Sequence, residues 1–299
     1  MSKTNIEWTD CSLNPIVGCS KCSQGCDNCY AESMAHRLSH NPQTKQMYAK
    51  VVDVNTGKWN GLAEFNEAKL FEPFRWIKPR KCFINSMGDL FHDSVPFEWV
   101  DQVMRMIYLT PKHTYQILTK RPERMLEYFK GLSEPGTDTE TSRRLLRDKN
   151  NNYAQNLHGM HMVYLKGGAL RNLWLGVSVE NQETVRLRIP VLLEIPATIR
   201  FVSAEPLLEQ ISFRWIEGDK YRDNETGIST QYDALKRIDW IITGPENGHN
   251  KRRCEQEWIR VIAEQCDAVA VPIFIKKGAD DNTSFLPLRK EFPQSKGAM

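Results

Sequence analysis

The chain has no long hydrophobic run, no low-complexity tract and little net charge. Nowhere are there about 18 consecutive apolar residues, the number that a membrane-spanning helix needs. The first residues also lack the charged start, apolar run and small-residue cleavage site of a secretory leader. A net charge of +3 falls well short of the strongly basic balance of a protein dedicated to coating nucleic acid. We therefore expect an ordered cytoplasmic protein without a membrane partner.

The chain does have enough apolar material for one sizeable core. Hydrophobic residues make up 40% and aromatic residues 10% of its 299 residues, which is typical of an ordered globular protein. A (β/α) barrel takes roughly 200–250 residues or more, so the length suits one such domain. We predict a single domain over residues 1–299 with polar insertions near 39–60, 131–168 and 214–236, which are either mobile lids or simple solvated loops.

Short apolar runs recur at wide intervals and are bounded by polar residues. They are almost continuously apolar rather than alternating, which is typical of parallel strands covered on both faces. Between them lie stretches with apolar residues at three- and four-residue spacing, which predict crossover helices. The predicted strands lie near residues 6–9 and in runs that begin at Cys82, Tyr115, Leu173, Ile199, Asp239 and Val271. This repeat predicts an α/β fold with a full or partial (β/α) barrel, and an open doubly wound sheet is the alternative.

Polar residues follow the predicted strands. Since the carboxyl ends of barrel strands hold ligands, these residues are candidates for a site, although strand ends also meet water and are polar for that reason. Three carboxylates, Glu180, Glu205 and Glu246, come within a few residues of strand ends and would converge if the sheet closes. The other polar residues at these strand ends are Asn85, Ser86, Asp89, Thr119, Lys120, Arg121, Ser178, Asn181, Ser203, Thr243, Asn247, Lys276 and Lys277.

Four of the eight cysteines fall within eleven residues, in the run GCSKCSQGCDNCYAE. In a reducing compartment such crowding indicates a metal site rather than disulfides. Zinc modules separate their two cysteine pairs by a dozen or more residues, whereas three residues separate them here. Ferredoxin-like carriers have a similarly tight run in much smaller domains. A third interpretation is a four-iron four-sulfur cluster with three thiolate ligands and one open iron for S-adenosylmethionine. The candidate ligands are Cys19, Cys22, Cys26 and Cys29.

Several motifs carry a family resemblance. The cysteine run, Tyr30 after it, and the barrel pattern resemble the radical SAM superfamily. The succession IEWTD, NSMGDLF, LTKRPERM, LGVSVEN, SAEPLL and FIKKG is similar to a phage-associated branch, a three-cysteine phage protein family of poorly defined function. SMGDLF also resembles a segment of spore photoproduct lyase, which repairs thymine dimers. A phage origin would place the protein in the host cytoplasm.

The resemblance leaves the third cluster ligand open. The superfamily spacing C-x3-C-x2-C implies Cys22, Cys26 and Cys29. The branch has a spacing more like C-x6-C-x2-C, which implies Cys19 in place of Cys22. The sequence GPENG at residues 244–248 also departs from the branch, which more often has glycine in place of Pro245 and serine in place of Asn247, although Glu246 is retained.

The resemblance also implies roles for individual residues. Asp89 takes the place of an acidic residue that holds the amino group of S-adenosylmethionine, and the alternative is an ordinary helix N-cap. The implied cofactor contacts include Ser86, Lys120, Ser178 and Glu180, the last two near the ribose or methionine carboxylate. Glu205 and Glu246 are implied to contact substrate or the adenosyl group. Cys11 and Cys254 are candidate hydrogen donors to a substrate radical, or simply free thiols.

We therefore predict a radical SAM enzyme, of isomerase, lyase or transferase type, that cleaves S-adenosylmethionine and abstracts a substrate hydrogen. The leading substrate is a modified thymine in phage DNA. The basic groups TKRPER, RRLLRDK and NKRR are candidate phosphate contacts, and an electron donor such as flavodoxin or ferredoxin is an implied partner. The alternatives are a radical SAM enzyme for a peptide or small metabolite, and a non-catalytic nucleic-acid-binding protein stabilised by a metal.

Overall fold

A computed structural model describes residues 4–133, 152–222, 229–247, 250–277 and 289–294. The described strands are β1 Cys11–Leu13, β2 Ile16–Val17, β3 Glu64–Phe65, β4 Lys81–Ile84, β5 Thr114–Thr119, β6 Leu173–Val179, β7 Ile199–Ala204, β8 Ile216–Arg222, β9 Ser229–Tyr232, β10 Trp240–Thr243 and β11 Ile273–Ile275. The described helices are α1 Tyr30–Ser39, α2 Lys45–Tyr48, α3 Phe97–Leu109, α4 Pro122–Ser133, α5 Asn152–Leu165, α6 Gln182–Glu194 and α7 Gln256–Asp267. Short 3₁₀ helices span Gln24–Cys26, Glu67–Phe71, Pro73–Arg75 and Ala234–Arg237.

Seven of these strands form a parallel sheet in the order β1-β4-β5-β6-β7-β10-β11. Each strand therefore lies beside the next one along the chain, apart from the small pairs β2-β3 and β8-β9. A doubly wound sheet reverses its strand order at a switch point, and this sheet does not. The fold is mixed α/β, and its strand order is consistent with a partial (β/α) barrel.

Burial explains why the apolar runs become strands and the periodic stretches become helices. Every residue of β6 is buried, as a parallel strand covered on both faces requires. In α3 the buried residues recur every three or four positions, so one stripe of the helix is covered. The predictions for six strands, β4 to β7, β10 and β11, and for helices α3, α4, α6 and α7 are confirmed.

The first strand lies further along the chain than predicted. Residues 6–9 form no described strand, and β1 begins at Cys11. The side chains just before it bond the edge of β4 instead: Thr9 Oγ1 donates to the Lys81 carbonyl at 3.1 Å, and Asp10 Oδ2 accepts from the Lys81 N–H at 2.7 Å. Regular pairing starts only after these two contacts, with Cys11 opposite Cys82.

The three predicted insertions have different outcomes. Residues 39–60 are packed rather than an open lid, because Tyr48, Val51 and Val52 join an apolar cluster with Val17 and Met87. Residues 134–151 of the second insertion lie outside the described residues, which resume with α5. The third contains the antiparallel strands β8 and β9, and residues 223–228 between them lie outside the described chain.

The chain divides into two compact units. The first comprises Met1–Cys22, Cys29–Leu175 and Ile195–Thr198, and the second comprises Ser23–Asn28, Gly176–Glu194 and Ile199–Met299. Aromatic packing of Phe91, Phe129 and Tyr164 lies in the core of the first unit. In the second, the Trp240 ring contacts those of Phe201 and Phe274.

Candidate functional site

In the first unit, a close approach between two glycines fixes the start of the cysteine run. Gly18 forms a parallel bridge with Gly88, and its N–H donates to the Met87 carbonyl at 3.1 Å. A Cβ on Gly88 would lie 2.8 Å from the Gly18 carbonyl oxygen, so no larger residue fits without a shift. Gly18 itself has a φ of +101°, a region that favours glycine. The bridge brings Cys19 alongside Asp89, just beyond the carboxyl end of β4.

Arg121 links the cysteine run to the strand ends. Its Nη1 atom lies 3.7 Å from Cys19 Sγ and 3.2 Å from Asp89 Oδ2. Its Nη2 atom donates to both the carbonyl and the Oγ atom of Ser20, at 3.1 and 2.9 Å. Arg121 and Asp89 are only 9% and 6% exposed, so this ion pair is internal. The guanidinium therefore holds the Cys19–Ser20 segment through several hydrogen bonds at once.

The carboxylate of Asp89 is fully engaged within the protein. Oδ1 accepts from Thr119 Oγ1 at 2.7 Å and from the Phe91 N–H at 2.9 Å. Oδ2 accepts from the Lys120 N–H at 3.1 Å as well as from Arg121. The contact with Phe91 is a local turn, and the next helix, α3, has Pro96 as its N-cap, so the N-cap prediction for Asp89 is wrong. Asp89 lies at the predicted strand end. Its oxygens accept hydrogen bonds from the segments of this chain that follow β4 and β5.

Burial and charge shift the ionisation of two groups around Arg121. Burial, reinforced by the negative charge of Asp89, raises the pKa of the Cys19 thiol to about 12. Burial also lowers the pKa of His92, and the nearby Arg121 charge adds to the effect. His92 Nδ1 accepts the Ser94 N–H at 3.1 Å, which leaves the proton on Nε2, 2.8 Å from Ser20 Oγ. His92 is thus a neutral donor that supports Ser20.

In the second unit, Arg252 ties the turn around the third cysteine of the run to the loop after β10. Its Nε and Nη2 atoms donate to Glu246 Oε2 and Oε1 at 3.1 and 2.6 Å. The same guanidinium reaches Asp27 Oδ2 at 3.3 Å and the Gln24 carbonyl at 3.0 Å. Asn28 Nδ2 donates to Glu246 Oε2 at 3.0 Å. Burial would raise the pKa of Glu246, but the hydrogen bonds from Arg252 and Asn28 lower it below its usual value.

The other two predicted carboxylates also have cationic partners. Glu180 is completely buried and accepts from Arg188 Nη1 at 3.0 Å. Glu205 pairs with Lys276, and Asn247 Nδ2 donates to it at 3.1 Å. Glu180, Glu205 and Glu246 therefore lie in the second unit near the ends of β6, β7 and β10, each paired with its own cation. Sequence reasoning did not single out Arg188, and it included Arg252 only as part of NKRR, a candidate phosphate contact. The partners of both arginines are set by the fold and have no local signal.

The remaining candidates are scattered. Ser86 Oγ donates to Asn14 Oδ1 at 3.1 Å, and Ser178 Oγ donates to the Glu205 carbonyl at 3.0 Å. Cys11 is buried at the amino-terminal end of β1, with Sγ 3.7 Å from the Lys81 carbonyl, so it lies at the wrong end of the strand for the predicted site. Burial raises the pKa of Cys254 to about 11.

Three arginines of the basic groups TKRPER and NKRR make hydrogen bonds within the protein. Arg121 and Arg252 hold the cysteine run, as described above. Arg124 donates to the Val95 carbonyl at 2.6 Å and covers the Phe97 ring. RRLLRDK lies outside the described residues. The described arginines of TKRPER therefore make hydrogen bonds within the protein.

The chemistry of the cysteine run fits a thiolate-bound metal. None of the eight cysteines forms a disulfide, and in the run Cys22 is exposed while Cys19, Cys26 and Cys29 are partly buried. Iron–sulfur clusters and zinc both take cysteine thiolates as ligands. Among the described residues, however, no group of three or more cysteine, histidine or acidic side chains is already gathered as a metal site. The thiol donor set of the run nevertheless fits either metal centre.

Comparison with known proteins gives a family but no activity. No curated protein matches the chain, and no solved structure matches it. Within the part of the chain that the structure describes, no helix is both long and apolar enough to cross a membrane. A family model described as a protein of unknown function, DUF5131, matches residues 3–293. The chain therefore belongs to the DUF5131 family.

Proposed function

We propose that the protein is a radical SAM enzyme that holds a four-iron four-sulfur cluster in its cysteine run. The observation that carries this proposal is the presence of four cysteines within eleven residues, none of them in a disulfide, shortly after β1, the first strand of the parallel sheet. When bound, such a cluster supplies the electron that cleaves S-adenosylmethionine and so permits abstraction of an unactivated hydrogen. No side chain can perform that chemistry.

Cys26 and Cys29 are proposed ligands under either spacing of the run. For the third ligand, the contacts of the first unit favour Cys19 over Cys22. Arg121 donates toward Cys19 Sγ, and hydrogen bonds to ligand sulfurs are a known means of tuning a cluster. Cys22 is exposed. A metal cation would also offset the burial that keeps the Cys19 thiol protonated.

The remaining residues in this proposal orient the ligands. Gly18 and Gly88 fix where the run begins, and Arg121 holds the Cys19–Ser20 segment against Asp89. His92 donates to Ser20 and so supports the same segment. Asp89 accepts four hydrogen bonds from the protein, so its proposed part is to hold Arg121 rather than to bind the amino group of S-adenosylmethionine.

The proposed substrate is a modified thymine base in DNA, on which hydrogen abstraction is followed by rearrangement or bond cleavage. The similarity of SMGDLF to spore photoproduct lyase supports this choice. The described arginines of TKRPER add no support, because they bond inside the protein. A flavodoxin or ferredoxin is the proposed electron donor.

Deuterium transfer tests the substrate class. Reduced, reconstituted protein is incubated with S-adenosylmethionine and with DNA that contains the modified thymine base. The modified thymine carries deuterium. The proposal predicts deuterium in 5'-deoxyadenosine with the wild-type protein and with Cys254→Ala, and none with Cys26→Ala. Cleavage of S-adenosylmethionine without DNA-dependent transfer would exclude DNA as the substrate and leave the peptide and metabolite alternatives.

A further inference from the structure

Arg252 uses its whole guanidinium group to join two segments of the second unit. Two of its nitrogens bind both carboxylate oxygens of Glu246, a bidentate arrangement. The remaining contacts are with Asp27 Oδ2 and the Gln24 carbonyl. Its backbone N–H also donates to Glu246 Oε2 at 2.9 Å.

These contacts flank Cys26 on both sides. Gln24 lies two residues before the cysteine, and Asp27 directly follows it. Asn28, two residues after Cys26, adds a further attachment: its Nδ2 atom donates to Glu246 and to the Asn250 carbonyl, the latter at 2.9 Å. Within the turn, the Cys26 N–H donates to the Ser23 carbonyl at 2.9 Å. The 3₁₀ turn Gln24–Cys26 is thus anchored at its first residue and just past its last.

The burial of Glu246 distinguishes this arrangement from an ordinary surface ion pair. Exposed pairs contribute little because water and salt screen them. The Glu246 side chain is only 5% exposed, although that of Arg252 is 31% exposed. The adjacent Arg253 provides the contrast: its side chain is 84% exposed and, among the described residues, pairs with nearby Glu255.

We propose that Arg252 is a positioning residue for Cys26. By binding Gln24, Asp27 and Glu246 together, Arg252 fixes the backbone of the turn in the metal-free protein. The Cys26 thiol is therefore held in one conformation before metal binds. This assignment rests on the proposed function in taking Cys26 as a cluster ligand. Lysine could not replace arginine here, because a single ammonium group cannot span a carboxylate, a second carboxylate and a carbonyl.

The first test uses the metal-free protein and amide hydrogen exchange resolved to residues 23–28. Arg252→Gln is expected to accelerate exchange of the Cys26 and Asp27 amides about tenfold, because the turn loses the hydrogen bonds from the charged guanidinium to Asp27 and Gln24. Arg252→Lys should accelerate exchange of the same two amides as much as Arg252→Gln does. Arg253→Gln should leave their exchange rates at the wild-type values. The β10 amides of Ile241 and Ile242 serve as the internal reference and should not change.

Asn28→Ala provides a milder variant in case Arg252→Gln does not fold. It removes the hydrogen bonds from the side chain to Glu246 and Asn250 and should accelerate Cys26 exchange about threefold, as the loss of a hydrogen bond implies. Unchanged exchange at Cys26 in both Arg252→Gln and Asn28→Ala would overturn the proposal.

The second test follows the loaded protein. After anaerobic reconstitution, Arg252→Gln should release iron to a chelator about tenfold faster than the wild type and change the EPR spectrum of the reduced cluster. Arg253→Gln should do neither. Faster amide exchange with unaltered iron release and an unaltered spectrum would overturn the link to Cys26. If the wild type binds no iron at all, the proposed function fails, and hydrogen exchange still decides whether Arg252 fixes the turn.

Discussion

Arg121 donates from its Nη1 atom toward Cys19 Sγ across 3.7 Å. The two residues are more than 100 positions apart in the chain, and Asp89 holds the guanidinium in place from the same side. The contact joins the start of the cysteine run to the carboxyl ends of β4 and β5. It is the structural reason for choosing Cys19 as the third proposed ligand.

Replacing Arg121 should destabilise the protein strongly even without metal. Arg121→Met leaves the carboxylate of Asp89 buried without its cation, and breaking a buried pair in this way costs about 3–5 kcal/mol. Urea unfolding of the metal-free protein measures the loss. Arg253→Met, at an exposed site, should change the free energy of unfolding by less than about 0.5 kcal/mol.

The double variant Arg121→Met with Asp89→Asn identifies the cause. Because it removes the uncompensated charge, it should be more stable than Arg121→Met alone. Equal stability of the single and double variants would show that the ion pair with Asp89 does not account for the loss.

Gly88→Ala should disrupt the start of the cysteine run. The added Cβ would meet the Gly18 carbonyl oxygen at 2.8 Å, so the two backbones must separate. We expect a loss of about 1–3 kcal/mol in unfolding free energy, typical of overpacking. We also expect impaired iron loading.

Gly61→Ala is the matched control for Gly88→Ala. Gly61 has a φ of +82°, but nothing lies within 4 Å of its Cβ position, so only the backbone penalty of about 1 kcal/mol applies. Iron loading should remain intact. If both alanine variants load iron equally, the close approach of Gly18 and Gly88 does not position the run.

His92 should make stability depend on pH. Since burial lowers its pKa, the folded state binds the proton less tightly than the unfolded state, whose value is near 6.5. The stability is therefore fully present above about pH 6.5 and falls as the pH drops through the lowered folded pKa, by at most about 1.4 kcal/mol per pH unit. Urea unfolding of the wild type and His92→Gln at several pH values measures this slope. An equally steep loss in both proteins would assign it to other groups.

Single cysteine variants distinguish the two candidate ligand sets. Cys19→Ala, Cys26→Ala and Cys29→Ala should each abolish stable iron loading, whereas Cys22→Ala should retain it. Iron and sulfide content after anaerobic reconstitution are the measurements, with Cys254→Ala as the control. Retention of the cluster in Cys19→Ala with loss in Cys22→Ala would reverse the assignment.

The sequence predicted the elements of the fold better than the contacts of the site. Leu173–Val179 is recognisable because an uninterrupted apolar run must be covered on both faces. The first strand was placed too early because Thr9 and Asp10 bond to Lys81 through side chains, a contact that apolar periodicity does not report.

At the site, too, the sequence predicts where the carboxylates lie but not which residues they contact. Glu180, Glu205 and Glu246 were found at strand ends as predicted, but their cations come from distant segments or from loops. Arg188 lies on the following helix, and Lys276 follows another strand. Such pairings depend on the fold and have no local signal. Glu246, for which the resemblance implies a contact with substrate or the adenosyl group, binds the arginine that holds the Cys26 turn.

The most direct test of the central claim is an EPR and absorption spectrum of the anaerobically reconstituted, reduced protein before and after S-adenosylmethionine is added. A radical SAM enzyme should give a four-iron four-sulfur signal that S-adenosylmethionine perturbs, together with formation of 5'-deoxyadenosine. A colourless zinc protein, or a cluster indifferent to S-adenosylmethionine that yields no 5'-deoxyadenosine, would contradict it.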